Sequence, residues 1–466
     1  MSVAAATRVG PSEIIRRFGS VAVALVCVQL DYFALALALP SMAKELGSTT
    51  ADLQWTVSAY MIAIGIVMVP GSRLADLLGR KRMLLIGLTI FGLASLWVGL
   101  SPTVGSVIAA RVVQGVGAGL YFPVAMSLVT NATNAIERPR ILGFLTGLAG
   151  IGTAAGPILG GGLSSTVGWR WVFLINVPIA LGGVIWGHFQ LKESTDPALA
   201  GHKLINLDWL GVVLLALGIG GLSLGIDDAS GTGLGPKAII PAVVGIIAVV
   251  GFVLWERRAK WALIPPVMWR NKAFSALVYA ATIANMGIVV VIFVATLYLQ
   301  QVRGYSGLVA GLMFVPAAIG LSVGGPVSGR LAVRYPTQRV MTVSLVGGAL
   351  ALFALAFSDQ MVVYLVLMGI ASFLLGLGFQ FGNIAIQSVV KPAEAGTAAG
   401  VLLTLMVSLG GVAVVIASAT IETIGNGAPT QHASTVTLLS WAIGVGVLGV
   451  IFGATQWRKA TLAVTG

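Results

Sequence analysis

The chain has few charged residues, one cysteine and three histidines, and each shortage excludes a class of protein. Charged residues make up 9% of its 466 residues and hydrophobic residues 57%, which excludes a disordered chain and argues against an ordinary soluble domain. The single cysteine, Cys27, cannot form an internal disulfide. The histidines, His188, His202 and His432, are too far apart in the chain for metal-ligand spacing, so no metal site is expected.

A P-loop and a basic domain are also missing from the sequence. Without a P-loop we expect no ATP-driven step, and we expect no cofactor. The formal net charge is +12, but the positive residues are spread along short segments between apolar runs. That distribution is typical of membrane topology rather than of a surface for nucleic acid, so nucleic acid is not a predicted partner.

Long apolar runs are what the chain has in abundance. A helix needs about 20 apolar residues to cross a bilayer, because every backbone polar group must be bonded within the segment. The runs predict an all-α membrane protein with fourteen spans in the lipid bilayer. The predicted spans are residues 19–39, 53–72, 83–101, 104–126, 141–163, 171–190, 208–226, 237–255, 273–300, 306–328, 338–357, 361–388, 395–421 and 435–456.

The positive charges orient these spans. With the N-terminus inside, nearly all Lys and Arg residues fall on inner segments, and positively charged loops stay on the cytoplasmic side. The outer segments carry only Lys44, Arg170, Lys237 and Arg303. The sequence therefore predicts a multi-pass protein of the cytoplasmic (plasma) membrane with both termini in the cytoplasm.

Asp31 is the only acid that this topology places in the middle of a span. An ionised aspartate at that depth costs about 2.5–3.5 kcal/mol on insertion scales. Such a residue should face the protein interior or a wet cavity and be able to take up a proton. We therefore predict that Asp31 couples proton movement to another process.

A repeated loop divides the chain. Residues 73–75 (Arg-Leu-Ala), after the second span, match residues 330–332 after the tenth. Matching loops predict two six-helix bundles related by an axis along the membrane normal, with the seventh and eighth spans as an extra hairpin. The predicted division is 1–191 for the N-terminal bundle, 192–272 for the linker and hairpin, and 273–466 for the C-terminal bundle.

The first copy of this loop resembles G-x-L-a-D-x-x-G-r-[KR], a signature of the major facilitator superfamily. Its glycines allow a tight turn, and its aspartate can pair with an arginine or face the positive end of a helix. The resemblance implies a latch that holds the cytoplasmic side shut, and the alternative is a basic anchoring loop. The residues assigned to this cytoplasmic gate are Gly71, Asp76, Gly79, Arg80, Lys81 and Arg82.

More narrowly, the chain is similar to the fourteen-helix drug:proton antiporter branch of that superfamily. Residues 152–161 match G-x-x-x-G-P-x-x-G-G, a motif that the resemblance ties to antiporters. Close packing of membrane helices could produce the glycine ridge alone, but a proline in register is harder to explain that way. The motif residues are Gly152, Gly156, Pro157, Gly160 and Gly161.

Residues 111–119 resemble the family motif R-x-x-q-G-x-g, and Asp31 fits the family's first-helix pattern, which implies a proton-carrier role. Arg111 and Gln114 share a helix face at i, i+3. A guanidinium cannot lose its charge, so within a membrane it needs an acidic partner, a carbonyl or water. Two interpretations stay open: Arg111 takes part in proton exchange with a carboxylate, or it is a structural arginine bonded to backbone carbonyls.

Polar and adaptable side chains predict a substrate cavity opposite Asp31. Methionine and aromatic side chains can form a soft surface for drugs, and three amides lie on one face of the twelfth span. For each residue alone, packing between helices is the alternative. The predicted lining residues are Tyr60, Tyr121, Met126, Asn285, Phe293, Gln380, Asn383 and Gln387.

Together these features predict a proton-coupled antiporter rather than an enzyme. It would act as a monomer and export lipophilic, cationic small molecules such as drugs or antibiotics, with drug and proton competing for Asp31 while the bundles rock around it. A facilitator or symporter of the same fold for a small metabolite is one alternative. A membrane enzyme or receptor is another, but the sequence offers neither a nucleophile–base pair nor a soluble sensing domain.

Overall fold

A computed structural model describes residues 10–134, 137–195, 208–232, 235–259, 262–264, 266–386, 388–390, 395–425 and 429–454. Fourteen helices in this part of the chain are long and apolar enough to cross a membrane, which confirms the predicted number of spans. No β-strand occurs among the described residues. The predicted all-α fold class is therefore confirmed.

The helices of the first half pack on one another, chiefly as α1 on α5 and α7, and α4 on α2 and α3. Good caps define several ends: Thr49 and Asp52 form a capping box at the start of α2, and Gly47 ends α1 with a φ of 63°, a conformation that favours glycine. These helices are α1 (Pro11–Leu46), α2 (Thr50–Leu78), α3 (Arg80–Leu100), α4 (Val104–Ala132), α5 (Arg138–Thr166), α6 (Arg170–Leu174) and α7 (Asn176–Gln190).

The second half begins with a hairpin and continues as a second packed group. Helices α8 and α9 pack on each other, and α8 also contacts α16 and α2 of the two groups, whereas α11 to α17 pack mainly among themselves. The division of the chain into domains at residues 191 and 272 stays a prediction. The helices are α8 (Trp209–Thr232), α9 (Pro236–Glu256), α10 (Pro266–Arg270), α11 (Lys272–Leu297, followed by a π-turn over Tyr298–Val302), α12 (Gly307–Met313), α13 (Val315–Arg334), α14 (Thr337–Ala356), α15 (Met361–Ile386), α16 (Ala395–Gly425) and α17 (Gln431–Ala454).

Prolines interrupt two of the spans. Pro178 has no N–H to donate to the carbonyl of Leu174, where α6 ends and α7 takes over. In the same way Pro316 cannot donate to Leu312, and α12 gives way to α13 at Phe314. A proline in a helix removes one backbone hydrogen bond and crowds the preceding turn, so each of these spans consists of two helical segments.

The two groups meet along α2 with α16 and along α5 with α12 and α13. Glycines bring the backbones of α5 and α12 into contact: a Cβ on Gly161 would overlap the carbonyl of Gly307, and one on Gly311 would overlap that of Pro157. We call this end of the bundle the Gly161 end. The opposite end, where α2 turns into α3, is the Gly79 end. The two groups are thus held together closely at the Gly161 end.

Candidate functional site

Asp31 and Arg111 form an ion pair in the interior of the first half. Arg111 Nη1 donates to Asp31 Oδ2 at 2.5 Å, and both side chains are fully buried. Removing two charges from water is costly, and their attraction compensates only when other hydrogen bonds satisfy the remaining atoms. The neighbours of the pair therefore decide whether it is stable.

Those neighbours supply hydrogen bonds from three helices. Gln114 accepts from Arg111 Nη1 at 2.7 Å and donates through Nε2 to Asp31 Oδ1 at 3.0 Å and to Ser95 Oγ at 2.8 Å. Asn176, at the start of α7, donates to Asp31 Oδ1 at 3.1 Å. The carboxylate thus accepts from Arg111, Gln114 and Asn176. Sequence analysis missed Asn176, although an amide within an apolar span was a usable signal.

Arg111 bonds both to a carboxylate and to a backbone carbonyl, the two kinds of partner that the sequence left open. Besides the carboxylate it reaches a backbone carbonyl, since Arg111 Nε donates to the oxygen of Thr56 at 2.8 Å. Its guanidinium carbon lies 3.9 Å from the centre of the Tyr60 ring, a stacking contact that stabilises a cation in a desolvated site. Tyr60 therefore covers one face of the buried pair.

A large cavity separates the two halves towards the Gly79 end. Its volume is about 1070 Å³, and its walls include Met126, Gln380 and Asn383, all of them predicted lining residues, together with Arg330 and Arg334 at the end of α13. A cavity of this size is in the range that takes a drug-sized molecule. It is closed towards the Gly161 end by the glycine contacts of α5 and α12.

A smaller cavity of about 110 Å³ continues from the larger one, and Gln29 and Gln380 line both. Its walls include the predicted residues Tyr60 and Asn285. Gln29 was not predicted as a lining residue, and its amide donates to Thr153 Oγ1 on α5 at 3.0 Å. The signal for Gln29 was its position in the apolar first span, two residues before Asp31.

Asp31 itself lines neither of these cavities. Successive residues of an α-helix are about 100° apart, so Gln29 and Asp31 lie on opposite sides of α1. Gln29 faces the cavity, whereas Asp31 faces the interior of the first half, with Tyr60 lying between Arg111 and the smaller cavity. This arrangement differs from the expected direct competition of drug and proton for one exposed carboxylate.

Two other predicted lining residues lie elsewhere. Tyr121 is fully buried and packs edge-to-face on Phe91 of α3, with 5.8 Å between ring centres. It follows Gln114 by seven residues, or two helix turns, so it shares the inward face of α4. Phe293 is buried and is absent from the walls of both cavities. Gln387 lies outside the described residues.

Comparison with known proteins places this fold and site in a family. The model of the family described as Major Facilitator Superfamily matches residues 21–415. The chain belongs to the Major Facilitator Superfamily. It is therefore a multi-pass membrane transporter and not an enzyme. A solved structure, that of the human organic anion transporter MFSD10 (TETRAN), covers 95% of the chain and is itself fully covered, with a TM-score of 0.63. At 14% identity that likeness shows the fold alone.

Several curated relatives of this transporter are named for antibiotic export or resistance. Puromycin resistance protein pur8 of Streptomyces alboniger is 29% identical over 92% of this chain and 88% of its own length. Cephamycin export protein CmcT of Amycolatopsis lactamdurans is 33% identical over 81% and 79%. The tetracenomycin C resistance and export protein of Streptomyces glaucescens is 31% identical over 84% and 73%. The resemblance to a drug-exporting branch is thereby confirmed.

The glycine motif of this transporter packs α5 against α1, the helix that carries Asp31. A Cβ on Gly152 would meet Val26, one on Gly156 would meet Leu30 and Phe33, and one on Gly160 would overlap the carbonyl of Ala34. Small residues let membrane helices approach to backbone contact. Through Gly161 and Pro157 the same helix also touches α12. The motif therefore connects α1 to the second half of the transporter.

The turn between α2 and α3 bonds to itself and to the segment that follows α7. Asp76 pairs with Arg80 at 2.6 Å, and Gly79 has a φ of 111°, in the region that favours glycine. The backbone N–H groups of Lys81 and Arg82 donate to the carboxylate of Glu193 at 3.0 and 3.1 Å. Gly71 packs on the backbone of α4 at Gly119. The gating role of this turn stays a prediction.

Proposed function

We propose that this transporter is a proton-coupled antiporter that exports lipophilic small molecules by alternating access between its two halves. It would draw on a proton gradient, use no cofactor, and work as a monomer in the cytoplasmic membrane with both termini in the cytoplasm. The observation that carries the proposal is the fully buried Asp31–Arg111 pair on the far side of α1 from a drug-sized cavity.

Proton exchange at Asp31 would act on the packing of α1 against α4. When Asp31 takes up a proton, the charge of Arg111 loses its partner, while the hydrogen bonds from Gln114 and Asn176 can persist. Breaking one side of a buried ion pair is expensive, so the two protonation states favour different arrangements of these helices. A proton then shifts the equilibrium between two conformations of the transporter.

A substrate in the cavity would be coupled to this conformational shift without contacting the Asp31 carboxylate. Tyr60 contacts Arg111 on one side and lines the smaller cavity on the other, and α1 presents Gln29 to the cavity. Substrate and proton would exclude each other because each favours a different conformation, which is coupling between two separate sites. The names of the curated relatives, which concern puromycin, cephamycin and tetracenomycin C, support export as the direction.

The first experiment identifies a substrate and then tests its coupling. Growth inhibition by an antibiotic panel is compared in cells with and without the transporter. A compound that is less toxic to cells with the transporter is then assayed with the purified protein in proteoliposomes. There we expect an imposed pH gradient to drive its transport, with protons moving the opposite way. Asp31→Asn should abolish the driven transport. The matched control is Asp359→Asn, because Asp359 is exposed and accepts only from Gln431 among the described contacts.

The outcomes separate the possible functions. Driven transport by the Asp31→Asn variant at the wild-type rate would refute the role of this carboxyl. Movement of compound and protons in the same direction would point instead to a symporter of the same fold. Transport that equilibrates the compound and ignores the gradient would point to a facilitator.

A further inference from the structure

The large cavity carries positive charge and no negative charge among its described lining residues. Arg330 and Arg334 lie on its wall, four residues apart and therefore on one face of α13. Both are exposed. No Asp or Glu is among the residues that line either cavity. A bound molecule would thus meet two guanidinium groups near the Gly79 end.

These arginines are not neutralised by the described carboxylates. The ion pairs within the described part of the chain use Arg17, Arg80, Arg111 and Arg170. The acid nearest to the middle of the membrane, Asp31, is paired with Arg111 and faces away from the cavity. Among the described residues that line the cavity, the formal charges are therefore those of Arg330 and Arg334.

The remaining polar groups are neutral. Gln380 lines both cavities, and Asn383 uses its amide N–H on the carbonyl of Phe379 at 3.0 Å. Neutral amides can orient a polar group, but they do not compensate a buried cation. A desolvated ammonium without an opposite charge is costly, whereas an arginine fork matches a carboxylate in two parallel hydrogen bonds.

We infer that the molecule accepted by this cavity is an amphipathic anion. Its apolar body would lie against Phe122, Leu142 and Phe379, and a carboxylate or similar acidic group would be bound by Arg330 or Arg334. The inference rests on the proposal that this cavity binds the exported molecule. It replaces the cationic substrate predicted from the sequence, because that prediction assumed that the cargo reaches Asp31.

The test measures binding and needs no proton gradient. Fluorescein is an anion and tetramethylrhodamine methyl ester a cation, and both contain the same xanthene ring system. Their affinities for the purified full-length transporter in nanodiscs are measured by fluorescence anisotropy, with the signal of empty nanodiscs subtracted. We expect tighter binding of fluorescein. Substitution of each arginine by glutamine should weaken fluorescein binding roughly two- to fivefold and should not weaken binding of the cation.

Two further variants keep the test decisive. Arg339→Gln removes an exposed arginine at the same end that lines neither cavity, so it should leave both affinities unchanged. The double variant Arg330→Glu/Arg334→Glu should reverse the preference in favour of the cation, which a misfolded protein would not do.

The inference is overturned if the wild type binds the cation as tightly as the anion, if it binds neither dye, or if the reversed charges do not reverse the preference. Because no gradient is applied, these results are independent of the proton-transport experiment. If the transporter couples protons but prefers the cation, the proposed function is retained and only the inferred substrate class is refuted.

Discussion

Replacing Asp31 alone should cost far more stability than replacing both members of the Asp31–Arg111 pair. Asp31→Asn keeps a side chain of the same size that can still accept from Gln114 and Asn176, but it leaves the charge of Arg111 buried without an opposite partner. Removing one partner of a buried ion pair costs about 3–5 kcal/mol. The variant Arg111→Met leaves a carboxyl that can take up a proton, so it should cost less.

The double variant Asp31→Asn/Arg111→Met removes both charges and fills similar space with a flexible apolar side chain. Replacing a buried pair by uncharged groups of similar volume is often neutral. The double variant should therefore regain most of the stability that Asp31→Asn loses, so the coupling energy in the double-mutant cycle should be about 3–5 kcal/mol. Its pH-driven transport should still be absent, because no carboxyl remains to carry the proton.

The assay is denaturation of the detergent-solubilised transporter, with the four proteins of the cycle compared under one condition. Glu45→Gln serves as the control, because it breaks a pair with Arg170 in which the Glu45 side chain is 51% exposed. An exposed pair contributes at most about 1 kcal/mol. If the effects of the two single substitutions simply add, the buried charges are not paired and the reasoning fails.

Two other substitutions test how α1 connects to its surroundings. Gly160→Val should destabilise the transporter by about 1–3 kcal/mol, because a Cβ at this position overlaps the backbone at Ala34. The control is Gly147→Ala in the same helix, where a Cβ meets nothing within 4 Å and should be tolerated. Equal melting temperatures of the two variants would contradict this. Tyr60→Leu should uncouple the proton site at Asp31 from the cavity, so that proteoliposomes without substrate lose an imposed pH gradient. Tyr60→Phe keeps the ring and should retain the gradient, because the Tyr60 hydroxyl has no hydrogen-bond partner among the described residues. A Tyr60→Leu variant that retains the pH gradient would exclude the proposed coupling through Tyr60.

The residues around Asp31 show how far sequence reasoning reaches. The i, i+3 spacing of Arg111 and Gln114 placed both on one face of α4, and both do contact Asp31. Their distances along the chain from Asp31 carry no information about which helices meet, so the sequence left open whether Arg111 pairs with Asp31. Asn176, from a third helix, was missed for that reason.

The cavity shows that residue type alone does not identify the residues that line a site. Tyr60, Met126, Asn285, Gln380 and Asn383 each line at least one of the two cavities. Residue type alone could not separate them from Tyr121 and Phe293, because an aromatic side chain packs as well against a neighbouring helix as against a ligand. Arg330 and Arg334 belong to the repeated loop region, and the sequence suggested topology rather than a binding surface for them.

By itself the sequence determined the number of spans, the helical class and the superfamily motifs, because apolar length and glycine spacing are local properties of the chain. Only the tertiary structure decided which side of each span faces what. A membrane helix is apolar all round and has no strong amphipathic stripe to orient it. That is why Gln29 and Asp31, two residues apart, end on opposite sides of α1, one at the cavity and one at a buried arginine.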